Sequence, residues 1–241
     1  MKLGILGYGK MGKIIEQLAQ FRGHEIVSII DFEFEGKINP KAECYIDFTD
    51  SLALVKNLPV LCSDKIPIVI GTTGWNKYID EYRNLFELSG NKGIWSSNFS
   101  LGVNLFWQIL SKSQSIMNSF TTEYDVMLHE WHHKNKTDSP SGTALQTAEI
   151  IIQNSSVKKN MITDCLNRKP EEHELHVTSI RGGAIPGTHT VLYDSLFDSI
   201  ELTHTARSRE GFAMGAILAA EKINGLPNGL HNFSDIFATL F

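Results

Sequence analysis

Apolar and polar positions follow one rhythm up to about residue 100 and another beyond it. In the first stretch, short apolar runs alternate with segments whose apolar residues recur at helical spacing. Residues 2–6 read as a strand, and residues 10–21 carry Met11, Ile14, Ile15 and Leu18 at helical spacing. Residues 25–30 are a second β-rich run that ends at Asp31. Strands are predicted over 45–48, 66–70 and 93–96, with a helix over 78–88. Such alternation predicts a parallel sheet with helices on both faces.

The rhythm changes near Gly102. A helix is predicted over 103–117, a run of strand formers over 123–130, and a helix over 143–153. Residues 173–180, 188–194 and 199–205 then alternate like half-buried strands, joined by turns such as RGGAIPG. Sequential alternating strands with short turns predict a mainly antiparallel sheet. Residues 211–223 form an amphipathic helix, expected to pack back on the first part. No internal repeat, low-complexity tract or linker interrupts the chain. The division expected is 1–101 completed by 210–241, with 102–209 as a second domain.

Composition narrows the class. At 241 residues the chain can bury a substantial core in two modest domains. A net charge of −5 argues against nucleic acid or a membrane surface as the main partner. No apolar run is long enough to span a bilayer, and MKLGILGYGK breaks at glycines too early for a signal peptide. Cys44, Cys62 and Cys165 are odd in number and far apart, so they are read as buried thiols in a reducing cytoplasm.

The first chemistry lies in the turn Gly7-Tyr8-Gly9-Lys10-Met11-Gly12, which matches G-x-G-x-x-G. Alone the pattern is weak. Here it follows a strand and opens a helix, and Asp31 ends the next strand nineteen residues after Gly12. That context predicts a Rossmann-type dinucleotide-binding domain in an α/β protein. The glycines let backbone N–H groups approach a pyrophosphate, and Asp31 would hydrogen-bond a ribose diol. A carboxylate at 31 repels the 2′-phosphate of NADP, and Phe32 follows it, so NADH is favoured; Lys10 keeps NADPH open. Gly71, Thr72 and Thr73 end one predicted strand, and Ser97, Asn98, Phe99 and Ser100 follow the next. Either segment suits the nicotinamide end of a cofactor, or is a plain turn.

The stretch LHEWHHKNKTDSPSGTA poses a sharper question, because HEWHH matches the zinc-protease pattern H-E-x-x-H. That pattern needs a helix to put both imidazoles on one face. The preceding Tyr124-Asp125-Val126-Met127-Leu128 favours a strand, and Pro140 follows soon after, so no metal site is expected. His129 reads as a partly buried strand residue. His132, His133 and Lys136 instead cluster at a strand end and loop, before a helix opened by Ser141, Gly142 and Thr143. Proton-carrying side chains beside helix-start N–H groups suit a small acidic substrate, while a solvated polar loop is the plain alternative.

The run EWHHKNKTDSPSGTA closely resembles the signature of the dihydrodipicolinate reductase family, roughly E-x-H-H-x-x-K-x-D-x-P-S-G-T-A. GYGKMG, IDFT at 46–49, GTTG at 71–74, SNFS at 97–100 and THTARSR near 203–209 extend the resemblance over nearly the whole chain. It implies an NAD(P)H-dependent oxidoreductase that reduces 4-hydroxy-tetrahydrodipicolinate, with loss of water, in lysine and diaminopimelate biosynthesis. Hydride would reach ring carbon 4. His132 and Lys136 align with the family's proton donors, His133 with a substrate-binding histidine, and Gly142 and Thr143 with its carboxylate-binding turn, which Ser141 begins. Arg209 corresponds to an arginine near the second carboxylate. The cofactor contacts fall on the segments already chosen. The resemblance also implies a Rossmann domain, a substrate domain with an antiparallel sheet, and a homotetramer. Trp131 and Asn135 depart from some members, and the glycine turn is one residue shorter than in some. Other readings are a two-domain NAD-dependent dehydrogenase such as an aspartate dehydrogenase, or a non-catalytic dinucleotide sensor.

Overall fold

The computed structural model describes residues 1–31 and 38–241. They fall into two units, 1–101 with 209–241 and 102–208. The first unit begins β1 (Lys2–Leu6), α1 (Lys10–Phe21), β2 (Glu25–Ile30), β3 (Cys44–Asp47), α2 (Ser51–Ser63), β4 (Ile68–Ile70), α3 (Ile79–Ser89) and β5 (Lys92–Trp95). Helix α4 (Leu101–Met117) leads into β6 (Asp125–His132), α5 (Gly142–Asn154), β7 (Asn160–Ile162), β8 (Glu174–Arg181), β9 (Thr188–Asp194) and β10 (Ser199–Thr205). The chain then returns to the first unit as α6 (Glu210–Lys222), β11 (Gly229–Asn232) and α7 (Phe233–Leu240). Among the described residues, no helix is long and apolar enough to cross a membrane.

The first sheet runs in the order β11-β5-β4-β3-β1-β2, and its pairs are parallel. Both faces are covered, which is why its strands are near-continuous apolar runs. Leu3, Ile5, Ile46, Val69 and Ile94 pack with Ala216 and Ile217 of α6 and Phe233 of α7. Leu6, Tyr45, Ile68 and Ile70 pack with Leu54 and Leu58 of α2 and Phe86 of α3. Parallel strands bring their carboxyl ends to one edge. There β1 lies between β2 and β3, so the chain order reverses beside the glycine turn. That crevice is where open α/β sheets bind ligands.

Helix α2 has no clear signature in the sequence. Its apolar residues lie on no single face, and Pro59 stands inside it, a residue that ordinarily breaks a helix. Asp50 starts it by accepting from Leu52 and Ala53 N–H at 2.9 and 3.1 Å. β7, β11 and α7 are likewise short elements that the pattern did not predict.

The second sheet runs β10-β9-β6-β8-β7. β10–β9 and β9–β6 are antiparallel, but β6–β8 and β8–β7 are parallel. The expectation of a mainly antiparallel sheet is therefore corrected to a mixed one. The reason is α5, which carries the chain back along the sheet after β6, so β7 and β8 run parallel to β6. Helices α4 and α5 cover one face through Phe106, Trp107, Leu110, Ala148 and Ile151, packed on Val126, Leu128, Leu175 and Val191. The other face leaves Met127, Trp131 and Ile180 exposed. Of the cysteines, Cys44 and Cys62 are buried as expected. Cys165 is exposed, because it lies in the loop between β7 and β8.

Candidate active site

In the first unit, each glycine of the turn meets a different constraint. Gly7 has φ +84°, and a Cβ there would stand 2.6 Å from the Phe48 carbonyl oxygen. Gly12 lies against the Gly7 carbonyl, where an added Cβ would approach to 2.2 Å, so only glycine lets α1 sit on this turn. Gly9 caps α1, and a Cβ there would meet nothing within 4 Å. That open space lets a ligand approach the helix N-terminus. The Tyr8 N–H donates to Asp31 Oδ1 at 3.2 Å, and its hydroxyl bonds Glu16. Lys10 and Asp31 are exposed, while Met11 packs against the core. Phe32 lies outside the described residues.

A cavity of about 720 Å³ adjoins the turn, lined by Gly7, Gly9, Asp31, Phe48, Thr49 and Lys56 among others. Its glycine edge and its carboxylate fit the phosphate and ribose of a dinucleotide. Gly71 lies on the Phe48 ring, where a Cβ would come within 2.2 Å. Thr73 and Ser97 are exposed. Asn98 accepts from the Ser100 N–H at 2.9 Å, which shapes the turn after β5. Phe99 turns its ring into the core, 4.8 Å from that of Phe233, so it has only backbone to offer a ligand.

Thr72 is also turned inward, and it reveals a residue the sequence reading missed. Its hydroxyl donates to Asp47 Oδ1 at 2.6 Å. The same oxygen accepts from Thr49 N–H at 3.0 Å and Thr49 hydroxyl at 2.8 Å. Asp47 is fully buried, and its Oδ2 has no hydrogen-bond partner among the described residues. Burial raises its pKa to about 6, against the hydrogen bonds from Thr72 and Thr49. The available signal was a lone carboxylate closing the apolar run Cys44-Tyr45-Ile46.

In the second unit, HEWHH lies at the end of a strand. Alternate β6 residues face inward, so Glu130 and His132 share the buried face with Val126 and Leu128. His129 is half-buried, with its ring 6.0 Å from that of Trp131. His133 begins the following loop, its N–H bonded to the Ile185 carbonyl at 2.8 Å. The i, i+4 histidines therefore do not share a helix face.

Glu130 is the centre of this half-site and was not singled out from the sequence. Ser179 stands opposite it on β8 and His189 opposite it on β9. Oε1 accepts from Ser141 N–H at 2.8 Å, Ser179 hydroxyl at 2.9 Å and the Arg181 guanidinium at 2.7 Å. Oε2 accepts from the Ser141 hydroxyl. His132 Nδ1 and His189 Nε2 lie 3.1 and 3.4 Å from Oε2. Burial pushes the Glu130 pKa upward, but hydrogen bonds from His189, Ser141 and Arg181 outweigh it and hold the group well below the usual carboxylate range. Glu130, His132 and His189 offer ligand atoms within 4.8 Å of one another. A metal ion would have to share a carboxylate already paired with a guanidinium, so this donor set does not fit one.

His132 is buried between this cluster and Gly187. A Cβ at Gly187 would stand 2.8 Å from His132 Nε2, so the imidazole occupies space that only glycine leaves open. Burial lowers the His132 pKa to about 4; Glu130 opposes that shift, and His189, Lys136 and Arg181 add to it. Lys136 Nζ contacts both Asp138 oxygens, at 2.8 and 3.0 Å. Ser141 faces inward, caps the Ala144 N–H at 3.2 Å, and leaves the α5 entrance to exposed Gly142 and half-buried Thr143.

The structure thus brings His132 and Ser141 onto Glu130 and sets Lys136 near His132, with His133, Gly142 and Thr143 in the adjoining turns. Arg209 is not in this group. It belongs to the first unit, one residue away from the expected boundary, because it caps α6 and its carbonyl accepts from Phe212 N–H at 3.1 Å.

The sequence matches two family descriptions, "Dihydrodipicolinate reductase, N-terminus" over residues 1–99 and "Dihydrodipicolinate reductase, C-terminus" over residues 102–237. The chain belongs to the dihydrodipicolinate reductase family. As a member it is an NAD(P)H-dependent oxidoreductase of lysine and diaminopimelate biosynthesis. The 4-hydroxy-tetrahydrodipicolinate reductase of Christiangramia forsetii is 39% identical over 246 residues, covering 100% of this chain and 99% of that one. The reductase of the same name from Staphylococcus aureus is 34% identical, covering 98% and 100%. Among solved structures, the dipicolinate-bound dihydrodipicolinate reductase from Paenisporosarcina sp. TG-14 matches with a TM-score of 0.80 at 20% identity, over 98% of this chain and 99% of that one. That likeness extends the family's fold to both units.

Proposed function

We propose that the protein reduces 4-hydroxy-tetrahydrodipicolinate to tetrahydrodipicolinate, with the first unit holding the nucleotide and the second the dicarboxylate. When bound, the reduced nicotinamide supplies a hydride to ring carbon 4, and with one proton the 4-hydroxyl leaves as water. The observation that carries this reading is the second half-site, where His132, Lys136 and the α5 N-terminus gather around one buried ion pair. His133, Gly142 and Thr143 bind carboxylate oxygens at the helix start, and Ser141 holds that turn from beneath. Lys136 and His132 are the two groups placed to supply that one proton. Burial keeps His132 neutral before substrate arrives, and a dianion beside it raises its proton affinity.

The nucleotide contacts are Gly7 to Gly12, Asp31, Gly71 to Thr73 and the backbone of Ser97 to Ser100. Asp31 favours NADH. A homotetramer in the cytoplasm completes the reading, and the apolar sheet face with Met127, Trp131 and Ile180 supports self-association.

The test is a coupled assay in which the preceding synthase supplies the unstable substrate and nicotinamide oxidation is followed with NADH and with NADPH. Turnover is expected with both, and NADH is expected to be used at least as efficiently. No oxidation of either nucleotide would overturn the assignment.

A further inference from the structure

Three groups on the buried side of the second sheet play no part in the reaction as proposed: Glu130, Arg181 and His189. Glu130 is 0% exposed, yet it carries a charge. Burying a carboxylate costs several kcal/mol even when it is paired, and an apolar pair of similar size is often as stable. Packing alone therefore does not account for it. The position of the charge is more informative. Its two oxygens reach the imidazole of His132, the first turn of α5 through Ser141 N–H and hydroxyl, and β8 through Ser179 and Arg181. One carboxylate thus joins the proposed acid to the proposed carboxylate-binding turn. Arg181 also donates to the Asp138 carbonyl, tying in the loop that holds Lys136.

We propose that Glu130, with Arg181 as its counterion, is the positioning residue for His132, and that it sets which ring nitrogen carries the proton. His132 Nδ1 lies 3.1 Å from Glu130 Oε2 without a formed hydrogen bond. A small ring rotation closes it, as such contacts commonly tighten on substrate binding. Nδ1 then keeps its hydrogen on Glu130. Nε2, on the Gly187 side, is left as the nitrogen that gains and gives up the transferred proton. Donation converts the imidazolium to the neutral Nδ1–H form, and Glu130 stays ionised throughout. The charged groups facing His132 are Glu130 on its own strand, Arg181 on β8, His189 on β9 and Lys136 in the following loop. Among these, Glu130 alone favours a hydrogen on Nδ1.

The inference rests on the reading of His132 as an acid, and its test separates the two. Imidazole ¹⁵N shifts of the full-length protein, with His132 assigned by comparison with His132→Asn, report the tautomer without any turnover. The wild type is expected to show the Nδ1–H form at pH 7.5. Glu130→Gln, whose amide can donate to Nδ1, is expected to shift His132 toward Nε2–H. It should also lower kcat on the order of 10²-fold, with NADH affinity unchanged. A wild-type His132 in the Nε2–H form would overturn the inference, and this needs no variant to fold. So would an unchanged tautomer in a folded Glu130→Gln. Wild-type protein with the expected tautomer but no reductase activity would overturn the functional reading and leave the positioning role standing.

Discussion

Asp47 in the first unit and Glu130 in the second are both buried carboxylates on strands that lead into candidate site loops. Both accept several hydrogen bonds, yet they are held in opposite directions. Asp47 has hydroxyl and backbone partners on one oxygen and none among the described residues on the other, and burial raises its pKa to about 6. Glu130 has partners on both oxygens, one of them a guanidinium, and burial is outweighed. The difference shows what a buried acid needs in order to stay charged. Neutral donors reduce the desolvation penalty, but a paired cation and a second satisfied oxygen remove it. It also divides the labour. Asp47 shapes the turns after β3 and β4, while Glu130 fixes a charge beside His132.

The largest expected effect tests that division directly. His132→Ala and Lys136→Ala should each lower kcat by about 10²–10⁴-fold, while NADH affinity, set in the other unit, hardly changes. Thr143→Val should mainly raise KM, because it removes a contact made both before and during reaction. Steady-state kinetics with NADH titration decides, and a His132→Ala enzyme with wild-type kcat would return that residue to a structural role.

Removing the charge partner comes next. Glu130→Ala or Arg181→Met should each destabilise by about 3–5 kcal/mol, since each strands a buried charge. The double variant should cost less than the sum of the two. Urea denaturation of the three proteins measures this, and simple additivity would show that the pair is not coupled.

Asp47 should behave in the reverse manner. Its folded-state pKa is raised, so its contribution to stability is greatest in acid and is lost as pH rises through about 6. Asp47→Asn keeps an acceptor for Thr72 and Thr49 and removes the buried charge. It should stabilise the protein by on the order of 3 kcal/mol at pH 8, and by roughly half as much at pH 5. Denaturation midpoints at the two pH values would show it, and a gain that did not grow with pH would mean that Asp47 is already satisfied when charged.

The smallest effect expected is none. If Glu130, His132 and His189 form an ion-pair cluster and not a metal site, the purified protein should carry no stoichiometric metal and keep its activity in chelator. Activity lost to chelator and restored by zinc would break the comparison, because Glu130 would then owe its charge to a metal.

Local pattern determined much of this protein. Period and punctuation set the strand–turn–helix at the start, the strand that ends in His132, and the helix opened by Ser141. They also weighed against a helical zinc motif in HEWHH, because strand formers precede it. Local pattern failed where an element depends on its surroundings. α2 carries Pro59 and is held by packing, and β7 and β11 are too short to show a period. The mixed second sheet was read as antiparallel because alternation reports which face a residue occupies and says nothing of strand direction.

The tertiary structure alone decided what surrounds each buried acid. Ser179, Arg181 and His189 reach Glu130 from 49, 51 and 59 residues away, through the register of β8 and β9 on β6. Thr72 reaches Asp47 from 25 residues away, through the pairing of β3 and β4. A two-residue period places Glu130 and His132 on the inner face, but every register that differs by two residues keeps that face buried. The packing of the whole sheet on its helices selects one register, and with it the partners that set the charge of each acid.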